Sequence, residues 1–203
     1  MPNRTVLIAG ATGRVGREIL QGLLTDRTVD AVHSLGRKRP AAQHPKLTAH
    51  VVDFARLPAL PPVDEVYLAL GTTIRVAGSQ AALRAINYEA NLAVAAAALA
   101  AGAKKLGLVS AMGADSRSNV FHSRVKGELE DALAKLPFQG TAIARPSVLV
   151  GKRNLVGRAV GFLIAAPINA SAVAKALLSV VPYAKGRTLL LPGSSRCEML
   201  PSF

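Results

Sequence analysis

The chain has one cysteine, Cys197, no tryptophan, and few aromatic residues of any kind, 4% of its 203 positions. A single thiol excludes an intrachain disulfide and any metal centre built from several cysteines. Because such a chain gains nothing from an oxidising compartment, a reducing, cytoplasmic location is the expectation. Too few aromatics alternate with the basic residues to form a stacking platform for single-stranded nucleic acid. No apolar run reaches the ~18 residues of a membrane-spanning helix, so no membrane association is expected. Met1-Pro2-Asn3-Arg4 leads straight into a strand-like apolar segment, without the h-region of a secretory leader. The HExxH, CxxC, G-x-S-x-G and P-loop patterns are all missing, which argues against a zinc peptidase, a dithiol centre, a serine hydrolase and a P-loop phosphotransferase. No metal site is expected.

Acidic residues are also scarce: 12 Asp and Glu stand against 25 Lys and Arg, a formal net charge of +13. That balance favours anionic ligands. The longest basic block is Arg37-Lys38-Arg39, and no nucleic-acid recognition motif accompanies it, so a small phosphorylated molecule is a better match than a polynucleotide.

Half of the residues are apolar, enough for one sizeable core at roughly 150 residues per domain. A single domain over 1–203 is the expectation, with 147–203 forming a small cap on the substrate side. Strand-like segments at 5–9, 29–35, 47–52, 66–70, 106–110 and 141–144 alternate with helical ones at 14–24, 79–101 and 119–136. Pro58, Pro61 and Pro62 argue against a helix between the third and fourth strands. The tail reads as helices at 155–166 and 171–180 and a late strand at 188–191. Alternation of this kind predicts an α/β fold with a parallel sheet, right-handed crossovers and helices on both faces.

Between the first strand and first helix stands Gly10-Ala11-Thr12-Gly13-Arg14-Val15-Gly16. Glycines at this junction allow a tight turn, a close approach of backbone N–H groups to a pyrophosphate, and close helix–strand packing. The helix N-terminus adds favourable charge. All seven residues are therefore candidate dinucleotide contacts. The spacing is GxxGxxG, whereas classical dehydrogenases carry GxGxxG. Past the second strand, where a carboxylate would accept from a ribose 2′-hydroxyl, the chain has Arg37 and Lys38. Their charge suits a 2′-phosphate, so NADP(H) is preferred and NAD(H) remains possible. Asp53, after the third strand, is placed to accept from an adenine amino group. Leu70, Gly71 and Thr72 close the fourth strand where an open α/β sheet reverses direction, the crevice that holds ligands. The fold so described is a doubly wound Rossmann sheet, with strand order 3-2-1-4-5-6.

Taken together, the glycine turn, Leu70-Gly71-Thr72-Thr73, Ser110-Ala111-Met112-Gly113-Ala114-Asp115, Val125-Lys126-Gly127-Glu128 and Ala144-Arg145-Pro146-Ser147 resemble the short-chain dehydrogenase/reductase superfamily. The branch resembled is the atypical one of NmrA-like and Tat-interacting-protein-like NAD(P)H-binding proteins, over residues 5–152. The resemblance implies cofactor contacts at Pro146 and Val148, and at Lys126 through the nicotinamide ribose. It implies catalytic roles for Ser110 and Lys126. The superfamily's Tyr, four residues before the Lys on one helical face, is here His122, and the position after Ser110 is Ala111. Imidazole accepts a proton at neutral pH, but a lysine beside it disfavours the imidazolium and makes it a poorer donor. Asn87 resembles an asparagine of extended short-chain enzymes, and with Asn91 it reads as a packing or capping residue.

Two functions follow. One is an NADPH-dependent oxidoreductase for a small carbonyl compound, with Ser110, His122 and Lys126 around the nicotinamide. The other is a non-catalytic NADPH-binding protein that reports to a protein partner. The alanine-rich stretch 92–101 is open to two readings: a homo-oligomer interface, or packing against the sheet.

Overall fold

The computed structural model describes residues 3–147, 169–191 and 198–199. Strand β1 (Arg4–Ala9) is followed by helix α1 (Arg14–Thr25), then β2 (Val29–Gly36), β3 (Leu47–Val51) and β4 (Glu65–Leu68). No helix intervenes between β3 and β4, as the three prolines require. Next come short helices α2 (Ile74–Ala77) and α3 (Gln80–Arg84), a π-helical turn (Ala85–Glu89) and α4 (Ala90–Ala100). Strand β5 (Lys105–Val109), α5 (Phe121–Ala134), β6 (Gly140–Ala144), α6 (Ala170–Val180), a 3-10 turn (Val181–Tyr183), β7 (Gly186–Leu190) and β8 (Glu198–Met199) complete the described elements.

The strands form one sheet in the order β3-β2-β1-β4-β5-β6-β7-β8. Seven are parallel, and β8 runs antiparallel to β7. The expected 3-2-1-4-5-6 order is present and extended by two strands. Of the tail expected to form a substrate-side cap, residues 169–191 serve the sheet: β7 pairs with β6, and α6 packs on α1. The close approach of those helices depends on Gly22, where a Cβ would stand 2.3 Å from Leu178 Cδ1. The helix expected at 155–166, together with Val148, lies outside the described residues.

Apolar residues cover both faces of the sheet. On one, Val6, Ile8 and Val32 pack with Ile19, Leu20 and Leu23 of α1 and Val173 and Leu177 of α6. On the other, Leu7, Val66, Leu68, Leu106 and Leu108 pack with Val94, Ala95 and Ala98 of α4 and Leu129 and Leu133 of α5. Small alanine side chains bring α4 close to the strands, and its Val94–Ala95–Ala98 face is packed on the sheet.

One long helix was the expectation over 79–101, and the structure corrects it. Ser79 caps α3, accepting from Ala82 N at 3.1 Å, but the coil widens to a π-turn at 85–89 before resuming as α4. Apolar periodicity cannot register one extra residue per turn. At this turn Asn87 bonds to the backbone of Thr72, and Asn91 Nδ2 reaches Leu70 O as well as Ile86 O and Asn87 O of the turn itself. Such π-bulges often occur at functional sites.

Candidate functional site

The β1–α1 turn depends on missing side chains. Gly10 has φ +91°, and a Cβ there would lie 2.6 Å from the Ala69 carbonyl carbon. A Cβ on Gly16 would lie 2.1 Å from Gly10 O. Thus Gly10 presses the turn against the end of β4, and Gly16 presses α1 against the turn. Gly13 caps α1 with extended backbone and no side-chain hydrogen bond, and the first helical turn holds no acid. Its leading N–H groups therefore face the crevice as donors for an anion.

A cavity of about 930 Å³ opens there. Gly10, Thr12 and Gly13 form one wall; Gly36, Arg37, Lys38, Asp53, Phe54 and Ala55 form another. The third consists of Ala69, Leu70 and Gly71 with Ala85, Ile86, Glu89, Ala90 and Ala93. Ala11 and Val15 bury their side chains in the core, leaving only backbone to meet a ligand, and Arg14 is exposed. Arg37 and Lys38 are exposed at the end of β2. Asp53 uses Oδ1 to accept from Ala55 N at 3.0 Å, which fixes the carboxylate at the cavity wall. A volume of this size lies within the range of small-molecule sites. It suits a dinucleotide: backbone donors for a pyrophosphate, cations at one end and a carboxylate near them.

The other candidates gather beyond Gly71. Lys126 is 4% exposed and donates to Val109 O at 3.3 Å; a Cβ on Gly71 would be 3.9 Å from Lys126 Nζ. Burial lowers the Lys126 pKa to about 8, against the opposing pull of Glu130. His122 lies one helical turn earlier and is half-buried. Burial, then the Lys126 charge, holds its imidazole below the usual value, so the neutral ring prevails at pH 7. Ser110 follows β5 and donates to Glu130 Oε1 at 2.5 Å. Pro146 is buried, and its carbonyl accepts from Met112 N at 2.9 Å.

Asn87 and Asn91 hold the third wall. Asn87 Oδ1 accepts from Thr72 N at 2.7 Å and its Nδ2 donates to Thr72 O at 3.1 Å. Asn91 Nδ2 donates to Leu70 O at 3.2 Å. Sequence reasoning gave these residues a packing or capping role; they set the path of the loop after β4.

Glu130 was missed entirely. It is 1% exposed and bonded to Ser110, Arg145 and Arg187. One sequence signal pointed to it: a carboxylate on the apolar stripe Val125–Leu129–Leu133 of α5 needs partners. Glu89 and Phe54 of the cavity wall carried no such signal. Among the described residues, no group of three or more His, Cys, Asp or Glu is placed to hold a metal ion. No described helix is long and apolar enough to cross a membrane.

This is the crevice of an open, doubly wound dinucleotide fold, set at the carboxyl ends of β1 and β4 where the strand order reverses. Residues 10–147 match the model of the NAD(P)H-binding family, and the chain belongs to that family, within the atypical short-chain dehydrogenase/reductases. Among its relatives is "Protein fmp52, mitochondrial" of Emericella nidulans, 36% identical over 159 residues, which span 73% of this chain and 68% of that protein. Another is "Protein HTATIP2" of Rattus norvegicus, 32% identical over 98% of this chain and 87% of the relative. In solved structures, the fold matches a short chain dehydrogenase from Leptospira borgpetersenii with bound NAD+ (TM-score 0.75, 12% identity, 94% of this chain and 91% of the other). It also matches MoeE5 in complex with UDP-glucose and NAD (TM-score 0.72, 15% identity, 96% and 77%).

One expectation is overturned. Relatives from several fungi are named mitochondrial proteins, which contradicts the cytoplasmic location read from the single cysteine. A lone thiol excludes an intrachain disulfide and does not distinguish one reducing compartment from another.

Proposed function

We propose that this chain is an NADPH-preferring oxidoreductase for a small carbonyl or related compound. The observation that carries the reading is the continuity of one crevice. It runs from exposed Arg37 and Lys38, past the uncapped start of α1, to Gly71 with the Lys126 ammonium beside it. Arg37 and Lys38 would hold a 2′-phosphate, the Gly10–Gly13 backbone a pyrophosphate, and Asp53 an adenine amino group. A bound nicotinamide dinucleotide supplies hydride chemistry.

The chain's own residues do the remaining work. Lys126 donates hydrogen bonds to ribose hydroxyls from a site walled by Val109 and Gly71. Burial, and then the Lys126 charge, keep His122 neutral, so the imidazole receives a proton from the substrate more readily than it gives one. Ser110 orients the substrate oxygen.

Calorimetric titration with NADPH and NADH tests this directly. Tighter binding of NADPH, with the advantage lost in Arg37→Ala, is the expected result; equal or absent binding of both defeats it. A second reading, an NADPH-binding protein without turnover that acts through a protein partner, draws on one observation. His122 stands where the superfamily carries Tyr, and among the described residues its imidazole has no hydrogen-bond partner. NADPH binding with no oxidation across a carbonyl panel, unchanged in Lys126→Ala, would favour it.

A further inference from the structure

His33 on β2 and His50 on β3 face each other across neighbouring strands, Nδ1 to Nε2 at 3.0 Å. The parallel register pairs His33 with Thr48 and Leu35 with His50, so the two imidazoles are diagonal neighbours on one face of the sheet. Strand β3 is the edge of that sheet, and both rings are half-buried, within reach of solvent. Their centroids stand 5.3 Å apart with the planes tilted by 40°, so the rings meet nitrogen to nitrogen and do not stack. Burial, then the charge of His50, lowers the His33 pKa, which keeps that ring neutral at pH 7. With 17 residues between its members, the pair has no motif spacing to reveal it in the sequence.

Two nitrogens this close can share a proton or share a cation. With metal–nitrogen bonds of about 2.0–2.1 Å, two nitrogens on one ion stand about 2.9 Å apart at a right angle and about 3.3 Å apart at the tetrahedral angle. The observed 3.0 Å falls between these, so an ion needs only a small swing of each ring. The proton now held between the nitrogens moves to the outer nitrogen of its ring. Both imidazoles then stay neutral and turn a lone pair to the ion. Neutral imidazole suits zinc, copper and nickel, whereas magnesium and calcium want oxygen. Among the described residues no third His, Cys, Asp or Glu joins the pair, so water fills the remaining positions. The other two histidines are poorer ligands. His44 Nδ1 accepts from Lys46 N at 3.2 Å, and His122 lies beside the Lys126 ammonium, which repels a cation. The net charge of +13 draws no cation to the surface by its field, so binding has to come from ligation.

We propose that His33 and His50 form a two-histidine site for a divalent transition ion, zinc or copper, which ties edge strand β3 to β2. The inference goes beyond the proposed function and does not depend on it, because neither ring lines the dinucleotide crevice.

Calorimetric titration of the full chain with Zn2+ at about pH 7.5 should show one saturable site. His33→Ala and His50→Ala should each weaken it about tenfold or more, because either change leaves a single ligand. The double variant should bind little worse than either single one, and His44→Ala should bind as the parent does. Affinity should fall as pH drops through about 6.5, where protons compete for the nitrogens. With Cu2+, electron paramagnetic resonance should show hyperfine coupling to two imidazole nitrogens in the parent and to fewer in either alanine variant. Should a variant not fold, the nitrogen count on the parent decides. No saturable site in the parent, equal binding by the parent and both variants, or coupling to one nitrogen or none overturns the proposal and leaves the pair as a hydrogen bond only. Dinucleotide is absent from every titration, so NADPH affinity enters none of these outcomes.

Discussion

Gly16 and Gly10 touch so closely that a methyl group on the first would stand 2.1 Å from the carbonyl oxygen of the second. The same turn holds a contrast at Gly13, where a Cβ would lie 3.2 Å from Gly10 O, a distance that a small shift relieves. Gly10→Ala and Gly16→Ala should each lose about 1–3 kcal/mol of stability or more, together with dinucleotide binding. Gly13→Ala should stay near parental stability while NADPH binds more weakly, because Gly13 lines the cavity. Thermal denaturation and calorimetry on the three variants check the order. Equal destabilisation by all three would contradict it.

Asn87 supplies both side-chain hydrogen bonds that fix Thr72. Asn87→Ala leaves that amide and carbonyl for water to satisfy in a half-buried place. A loss of about 1–2 kcal/mol is expected, with weaker NADPH binding through the displaced Leu70–Gly71 wall. Retention of full affinity would show that the loop after β4 holds its path without Asn87.

Lys126 gives a pH signature. Its folded pKa of about 8 lies below the ordinary 10.5, so between those values the unfolded chain binds more protons than the folded one. Stability must then rise as pH increases through that window, by about 3 kcal/mol at most, and the buried charge counts fully against folding below pH 8. Lys126→Met should stabilise the free protein at pH 7, remove this rise, and weaken dinucleotide binding. Chemical denaturation from pH 7 to 10.5, compared between variant and parent, reads the difference. Parallel curves would place the ammonium in a better solvated setting.

His122 is held below its usual pKa by burial and by Lys126. If its neutral ring takes a proton from the substrate, kcat/KM for alcohol oxidation falls on the acid side of about pH 6.5. His122→Phe should abolish that limb along with most turnover. His122→Tyr distinguishes two histories: a gain in turnover marks a site that lost its phenol, and a loss marks one rebuilt around imidazole.

Much of this protein is legible in its sequence, because the signals are local. Alternating apolar strands and amphipathic helices predict a parallel sheet, and a glycine trio between the first strand and helix predicts the dinucleotide turn. Three prolines predict the missing helix before β4. Each of these depends on residues within a few positions of one another, where backbone geometry and period decide the outcome.

What lay beyond the sequence is set by partners far apart in the chain. The π-turn at 85–89 exists where Asn87 reaches Thr72, 15 residues away. Strand β7 joins the sheet because Gly186–Leu190 pairs with β6 across more than forty residues. The serine that sequence identifies as Ser110 gains its hydrogen-bond direction only from Glu130, 20 residues on, and Glu130 keeps its place only through Arg145 and Arg187. Composition and spacing determine which residues are present at the site. The direction each one's proton points is a property of the packed interior, where a buried carboxylate must find its donors wherever the folded chain brings them.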